Sequence, residues 1–140
     1  MSEGVAIRRL MTSAVAELES ATWSNAFCIG NEVVMSGMTA HPATRHAAEP
    51  MDAYAQTTEV LRKLLAYVEA AGGNVRNLYK LVIYVTDVAD KDQVGRARRD
   101  FFQAPYPCST LVEVKGLVFP ELKIEIDAWA RLDVDLSRCE

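Results

Sequence analysis

Five consecutive apolar residues in the middle of the chain constrain the fold more than any other feature. The run from Leu81 to Val85 is apolar at both odd and even positions. Because successive side chains of a strand point to opposite faces, a strand built from this run has two faces to bury. The run therefore predicts a central strand of a sheet that is covered on both sides, or a strand at a subunit interface.

Helical patterns lie on both sides of this run. Before it, residues recur at helical spacing at Tyr54, Thr57, Leu61, Leu64, Leu65 and Val68. Pro50 suits the first turn of this helix, and Gly72-Gly73 suits its C-terminal cap. After the run, Asp90 with Gln93 three residues later resembles a capping box. A second helix is expected there, with an apolar side formed by Val94, Ala97, Phe101 and Phe102.

The other apolar segments predict five further strands. The first is an edge strand within residues 5–11, and two β-rich runs around Gly30-Asn31 read as a hairpin. Residues 41–49, which include a proline, read as a loop, and the last two strands fall at 109–114 and 122–130. The order β-β-β-α-β-α-β-β predicts an α+β fold, a mixed six-stranded sheet with two helices on one face.

The second face of this sheet has no element of the chain left to cover it. A sheet this apolar implies a partner, and the simplest partner is another copy of the same chain. The 140 residues fit one domain, spanning 1–140, with a core of its own.

Composition excludes several classes of function. The net charge of −4 disfavours non-specific binding to nucleic acid. Three cysteines without a CxxC pair, and only His41 and His46, assemble no zinc site by spacing. Free thiols fit a reducing, cytoplasmic compartment. We expect no membrane association, because there is neither a signal sequence nor an apolar run approaching about 20 residues.

Five segments resemble motifs of one known family, and they occur in that family's order. Residues 30–37 resemble its hairpin that leads to Ser-Gly, and residues 56–61 its helix motif with Gln-Thr before Val-Leu. Residues 84–87 resemble the end of its central strand, 107–114 its Pro-x-Arg-Ser-x-Val-Glu-Val segment, and 123–128 its last strand. Each motif alone is weak, but the five in register are specific.

The family is Rid, the reactive intermediate deaminases (RidA/YjgF-like), and the resemblance covers roughly residues 23–131. It implies a chorismate-mutase-like fold that forms a homotrimer, with a barrel-like core and clefts between subunits. It implies hydrolysis of small enamines and imines to ketones and ammonia, with no metal and no organic cofactor. In the family an arginine grips the substrate carboxylate, and a glutamate positions water or relays protons.

Glu125 matches the family glutamate and is the candidate catalytic residue. It lies between Ile124 and Ile126, so a strand places it on the opposite face from these two. In a partly buried cleft its pKa is expected to rise toward a range useful for acid–base chemistry. The alternative is a solvated strand carboxylate beside Lys123 and Asp127.

The family arginine is missing, because Ser109 occupies its place when residues 107–114 are aligned without gaps. A serine hydroxyl cannot make the bidentate, charged grip of a guanidinium. A helix position that is often asparagine in the family is Gly95 here. Three explanations for the serine at this position stay open. The substrate lacks the carboxylate, another cation replaces the arginine, or the pocket binds a ligand without catalysing a reaction. Candidates for the cation are Lys115, Arg96 and Arg131, whereas the cluster of Arg96, Arg98 and Arg99 is interpreted as a solvated helix face.

Four more residues are candidates for the substrate pocket. Trp23 falls near the family's pocket tyrosine and offers a flat apolar wall, with interface packing as the alternative. Ser36 matches the family's strand-end serine, and Leu111 lies in the same strand as Ser109. Cys108 is a candidate pocket residue, although the role of a small buried filler is favoured over that of a nucleophile.

The leading hypothesis is a Rid-type hydrolase with an atypical pocket for a small molecule. The main alternative is a trimer that binds or regulates without catalysis. Endoribonuclease activity occurs in some family members, but the acidic balance and the lack of a basic stripe argue against it here.

Overall fold

The computed structural model describes residues 4–140, within which there are six strands and three α-helices. The strands are β1 (Ile7–Arg9), β2 (Ala26–Ile29), β3 (Glu32–Met38), β4 (Leu78–Val85), β5 (Cys108–Glu113) and β6 (Ile124–Arg131). The helices are α1 (Ala43–His46), α2 (Ala53–Ala70) and α3 (Lys91–Phe101). Short 3-10 turns occupy Val75–Asn77, Val88–Asp90 and Leu136–Arg138. Every strand expected from the sequence is present.

All six strands form one sheet in the order β1-β2-β3-β6-β4-β5. Only β4 and β5 pair in parallel, and the other neighbours are antiparallel. The parallel pair arises because α3 carries the chain back to the start of the sheet before β5 begins. The predicted mixed six-stranded α+β fold is thereby confirmed.

Helix α2 begins later than the sequence suggested. The Asp52 carboxylate accepts a 2.8 Å hydrogen bond from the Ala55 backbone N–H, which makes Asp52 the N-cap and leaves Pro50 outside the helix. The predicted end is confirmed, since Gly72 has a φ of 93° and the Gly73 N–H bonds to the Val68 carbonyl at 2.9 Å.

Two local predictions around the helices were wrong. The segment 41–49, expected to be loop, contains the four-residue helix α1. At α3, Asp90 makes no side-chain cap, and no capping box forms with Gln93. Gln93 Oε1 instead accepts a 3.1 Å hydrogen bond from the backbone N–H of Tyr54, which ties α3 to the first turn of α2. The tertiary contact therefore replaces the local one.

One face of the sheet packs against α2, and α3 packs beside α2. This face carries every second residue of β6 and, beyond a register shift between Leu78 and Lys80, of β4, and these side chains are almost fully buried. They are Ile124, Ile126, Ala128 and Ala130 of β6, with Leu78, Leu81, Ile83 and Val85 of β4. The α2 side chains that meet this core are Val60, Leu61, Leu64 and Val68. The helix-facing side is thus the hydrophobic core of the chain.

The opposite face, here called the open face, carries the alternate residues and is only half-buried in the single chain. Its apolar members come from four strands: Phe27, Val34, Val82, Tyr84 and Trp129. The Leu81–Val85 run is apolar at both parities because β4 faces the core with one set of side chains and this surface with the other. Within residues 4–140, no helix is long and apolar enough to cross a bilayer.

Candidate functional site

Glu125 lies on the open face, directed away from its buried neighbours Ile124 and Ile126 as expected. In the sheet it stands opposite Tyr84 of β4. Burial, together with the nearby charge of Asp127, raises the pKa of the Glu125 carboxyl. The Tyr84 hydroxyl donates a 3.0 Å hydrogen bond to Asp127 Oδ2. Glu125, Asp127 and Tyr84 thus form a partly desolvated acidic cluster, and a solvated strand carboxylate does not describe Glu125.

Gly37 makes the room for this acidic cluster. A Cβ atom on Gly37 would fall 2.8 Å from Asp127 Oδ1 and 3.0 Å from Glu125 Oε2, closer than real Cβ contacts. The glycine lies where the β3–β6 register shifts between Met35 and Met38. Sequence reasoning recognised the Ser36-Gly37 pair as a strand end, but it did not identify the contact between Gly37 and the two carboxylates.

Ser36 and Trp23 lie at the same end of β3. The Ser36 hydroxyl donates a 2.6 Å hydrogen bond to the Ser24 carbonyl, which ties the segment containing Trp23 to the end of β3. The Trp23 indole N–H bonds to Asn25 Oδ1 at 3.1 Å, and the side chain is 55% exposed. The indole ring of Trp23 is thus fixed by a hydrogen bond but exposed to solvent. Such a surface is compatible with either a pocket wall or a subunit contact.

Ser109 lies on the other side of the sheet. It pairs with Leu81 in the parallel β4–β5 register and so faces the helices. Its hydroxyl oxygen accepts a 2.8 Å hydrogen bond from Nη1 of Arg98 in α3. Burial and the charge of neighbouring Arg99 lower the pKa of Arg98. Residue 109, where the resemblance places the family arginine, is therefore next to an arginine that comes from a helix.

The candidates named as replacement cations are engaged elsewhere or exposed. The Arg96 guanidinium stacks 4.1 Å from the ring centre of Tyr54, and Arg131 pairs with Asp133 at 2.9 Å. Lys115 is exposed in the segment after β5. None of the three makes a hydrogen bond to Ser109. The interpretation of the arginine cluster as a solvated helix face holds for Arg96 and Arg99, which are exposed, but not for Arg98, which is half-buried.

The sequence contained a signal for Arg98 that the interpretation overlooked. Val94, Arg98 and Phe102 are spaced four residues apart, and both flanking residues are almost fully buried. A residue in the middle of such a stripe lies on the inner side of the helix, whatever its charge. Grouping Arg98 with its charged sequence neighbours concealed this position.

Cys108 and Leu111 fall on different faces of β5. Cys108 pairs with Lys80 on the open-face side and is exposed in the single chain, so its expected role as a buried filler is not supported. The physical reason is that β5 is an edge strand with no neighbour on its outer side. Leu111 pairs with Ile83 and packs partly buried against the core.

The candidate residues form two groups that one chain does not bring together. Glu125 shares the open face with Tyr84, whereas Ser109 shares the helix-facing side with Leu81. Side chains on opposite faces of a sheet point away from one another. Ser36, which precedes Gly37 in β3, belongs with the first group, whereas Trp23 lines a separate surface depression with Arg9 and Glu17. On one chain the Glu125 group and Ser109 therefore face different sides of the sheet.

Metal ligands do not cluster in the described part of the chain. Among residues 4–140, no group of three histidine, cysteine, aspartate or glutamate side chains is arranged to hold a metal ion.

Comparison with known proteins identifies the family. The model of the family described as Endoribonuclease L-PSP matches residues 13–132. The crystal structure of RidA from an Antarctic Psychrobacter superposes with a TM-score of 0.77 at 25% identity, covering 89% of this chain and 98% of that one. The chain belongs to the Rid family. The recognition made from the five motifs is confirmed, and so is the Rid fold.

Other relatives carry related names. The 2-iminobutanoate/2-iminopropanoate deaminase of Escherichia coli K12 is 35% identical over 106 residues, covering 73% of this chain and 80% of that protein. The RutC family protein y4sK of Sinorhizobium fredii is 32% identical over 108 residues, covering 76% and 83%. A Pseudomonas aeruginosa protein of unknown function has a crystal structure with 61% identity and a TM-score of 0.93, covering 97% of this chain and 99% of that one.

Proposed function

We propose that this Rid-family chain hydrolyses the C=N bond of a small imine, or of the enamine that tautomerises to it, and releases ammonia. The observation that carries the proposal is the acidic cluster around Glu125, in a chain related to a 2-iminobutanoate/2-iminopropanoate deaminase. Water adds to the imine carbon, the resulting carbinolamine collapses, and the nitrogen leaves as ammonia while the carbon becomes a ketone. Each step moves a proton.

Glu125 is assigned these proton transfers. A carboxyl group whose pKa is raised exchanges protons more effectively near neutral pH than an ordinary glutamate. Asp127 stands beside it and is held by the Tyr84 hydroxyl, so the negative charge near Glu125 is fixed in place. Trp23 and Ser36 are assigned to the wall and the rim of the pocket, with Leu111 and Cys108 on the strand that brings Ser109.

The active species in this proposal is a homotrimer with a site at each subunit boundary. Two observations support it. The open face leaves apolar side chains of four strands half-buried, and the two groups of candidate residues lie on opposite faces of one chain. In a ring of three chains, each boundary joins two different surfaces, so Glu125 of one chain can meet Ser109 of the next.

Ammonia release tests the proposed reaction. The substrate is an imine of a 2-oxo acid, generated in the cuvette from its amino acid by an amino-acid oxidase, and the rate is compared with spontaneous hydrolysis. We expect acceleration by the native protein and a loss of about 100-fold or more in Glu125→Gln, the usual range for removing a general acid–base group. Glu69→Gln, at an exposed position of α2, is the matched control and should retain full activity.

A second candidate function is ligand binding without turnover. It is favoured by the two departures from the family pattern, Ser109 and Gly95. Thermal stabilisation by 2-oxo acids together with no acceleration of imine hydrolysis would support this second function. Turnover that depends on Glu125 would reject it.

A further inference from the structure

A small cavity opens between the C-terminal half of α3 and the start of β5. Its volume is about 270 Å³, and Gly95, Arg98, Arg99, Phe102 and Tyr106 contribute to its walls. The cavity combines apolar ring and aliphatic surface with the two guanidinium groups. Its size is slightly below that of typical ligand pockets, which suits one end of a small molecule.

Both guanidinium groups border the space left by the missing side chain of Gly95. A Cβ atom on Gly95 would lie 3.7 Å from Nη1 of Arg99 and 4.0 Å from Nη2 of Arg98. Helical side chains lean toward the N-terminus, so residues three and four positions after Gly95 reach back over it. A larger residue at this position would separate the two arginines from the cavity between them.

The positive charge in this cavity is not neutralised. Within the described residues 4–140, no carboxylate lies within 4.0 Å of the guanidinium of Arg98 or Arg99. The side-chain partner of Arg98 is the neutral hydroxyl of Ser109. Burial and Arg99 both disfavour the charge on Arg98, as its lowered pKa reflects. An anion in the cavity would offset the repulsion between the two arginines and would compensate the cost of burying the Arg98 charge by pairing with it.

We propose that Arg98, Arg99 and the Ser109 hydroxyl form an oxyanion-binding site, and that α3 supplies the carboxylate contact which residue 109 of β5 does not. Arg98 provides a planar guanidinium with paired N–H donors, and Arg99 provides a second positive charge. The Ser109 hydroxyl orients the guanidinium of Arg98. That the bound oxyanion is the carboxylate of the imine substrate rests on the proposed function; the binding site itself does not.

Equilibrium binding measured without turnover tests the site. Calorimetric titration of the native protein with 2-oxobutanoate is compared with titration with butanone, which has the same carbon chain and no carboxylate, and with inorganic phosphate. We expect 2-oxobutanoate to bind with a Kd that rises with salt, and butanone to bind at least tenfold more weakly. Stronger Arg98-dependent binding of phosphate than of 2-oxobutanoate would overturn the assignment to a carboxylate.

Three variants separate this site from a general effect of charge. Arg98→Ala should weaken 2-oxobutanoate binding by about tenfold or more, the range for losing a charge-assisted hydrogen bond. Arg96→Ala is the matched control: it removes the same charge from the same helix, but its guanidinium lies over Tyr54. Gly95→Leu keeps every charge and fills the cavity, so it should weaken binding as Arg98→Ala does. Equal affinities for the Arg98→Ala and Arg96→Ala proteins would overturn the proposal.

The outcomes distinguish this site from the proposed reaction. Glu69→Gln, at an exposed position of α2, should bind 2-oxobutanoate like the native protein, because Glu69 belongs neither to the anion contacts nor to the acidic cluster. If the native protein binds through Arg98 but does not hydrolyse imines, the oxyanion site stands and the proposed reaction fails. If hydrolysis depends on Glu125 while Arg98→Ala binds and turns over normally, the reaction stands and the oxyanion site fails.

Discussion

A site shared between chains has a consequence that mixed trimers reveal. Two variants are used, Glu125→Gln and Arg98→Ala, each altering one of the two groups of candidate residues. In a cyclic trimer every boundary joins the Glu125 surface of one chain to the Arg98 surface of the next. Homotrimers of either variant then contain no intact site, and both should show strongly reduced activity at low substrate concentration.

The recovery on mixing follows from counting surfaces. With equal amounts of the two variants assembled at random, half of the Glu125 surfaces and half of the Arg98 surfaces are native. About a quarter of all boundaries therefore combine two native surfaces. Removal of the homotrimers leaves only trimers with two chains of one variant and one of the other, in which one boundary of three is intact, so the purified mixed trimers should recover about a third of the activity of the native trimer. If both groups acted within one chain, every chain would carry one defect and mixing would restore nothing.

The assay uses chains with two different affinity tags, denatured together, refolded and purified over both tags, with imine hydrolysis measured at low substrate concentration. Native mass spectrometry confirms that the trimers are mixed. The control is a mixture of Glu125→Gln with Glu125→Gln,Arg98→Ala, which contains no intact boundary and should stay inactive. Verified mixed trimers with no more activity than their parents would refute the shared site.

Five further predictions follow from individual residues and surfaces. Gly37→Ala should destabilise the protein by about 1 kcal/mol, the low end of the cost of overpacking, because the carboxylate ends that its Cβ meets can shift; Tm should fall by roughly 3 °C in thermal melts. Gly95→Ala, whose Cβ meets nothing closer than 3.7 Å, should instead stabilise the protein by about 0.5–1 kcal/mol in the same melts. The folded pKa of Glu125 lies above its ordinary value of 4.5, so the native protein loses stability as the pH rises from about 4.5 through that folded pKa. Glu125→Gln should therefore have a higher Tm than the native protein at pH 7 and the same Tm at pH 4. An equal difference in Tm at both pH values would contradict the raised pKa. Val82→Asp places a charge on the open face and should reduce the mass measured by light scattering from that of a trimer to that of a monomer; an unchanged mass would exclude Val82 from the interface. The native protein should not degrade RNA even at low salt, and hydrolysis that survives further purification would contradict the expectation from its net charge of −4.

The fold was accessible from the sequence because periodicity and turn residues agree with the tertiary structure. The Leu81–Val85 run identified β4, and the alternation around Glu125 identified which side chains of β6 face away from the core. Errors occurred where a long-range contact replaced a local one. Gln93 was expected to cap α3, but it accepts a hydrogen bond from the backbone of Tyr54 in another helix. No local pattern reveals such a partner.

The candidate site was accessible only in part. Glu125 could be found because a single strand determines its direction, whereas the Arg98–Ser109 contact depends on how α3 crosses the start of β5. The role of Gly37 depends on a register shift between β3 and β6, which alternation alone does not show. The cytoplasmic location and the absence of a cofactor stay predictions from composition and resemblance.

Because the two groups of candidate residues lie on opposite faces of one chain, the proposed reaction should also depend on the concentration of the protein. A site completed by a second chain exists only in the assembled form, so turnover per chain should fall on dilution below the concentration at which trimers dissociate. The protein concentration would then determine whether the enzyme is active: below the dissociation range of the trimer the chain would have no complete site, and above it the same chain would turn over substrate.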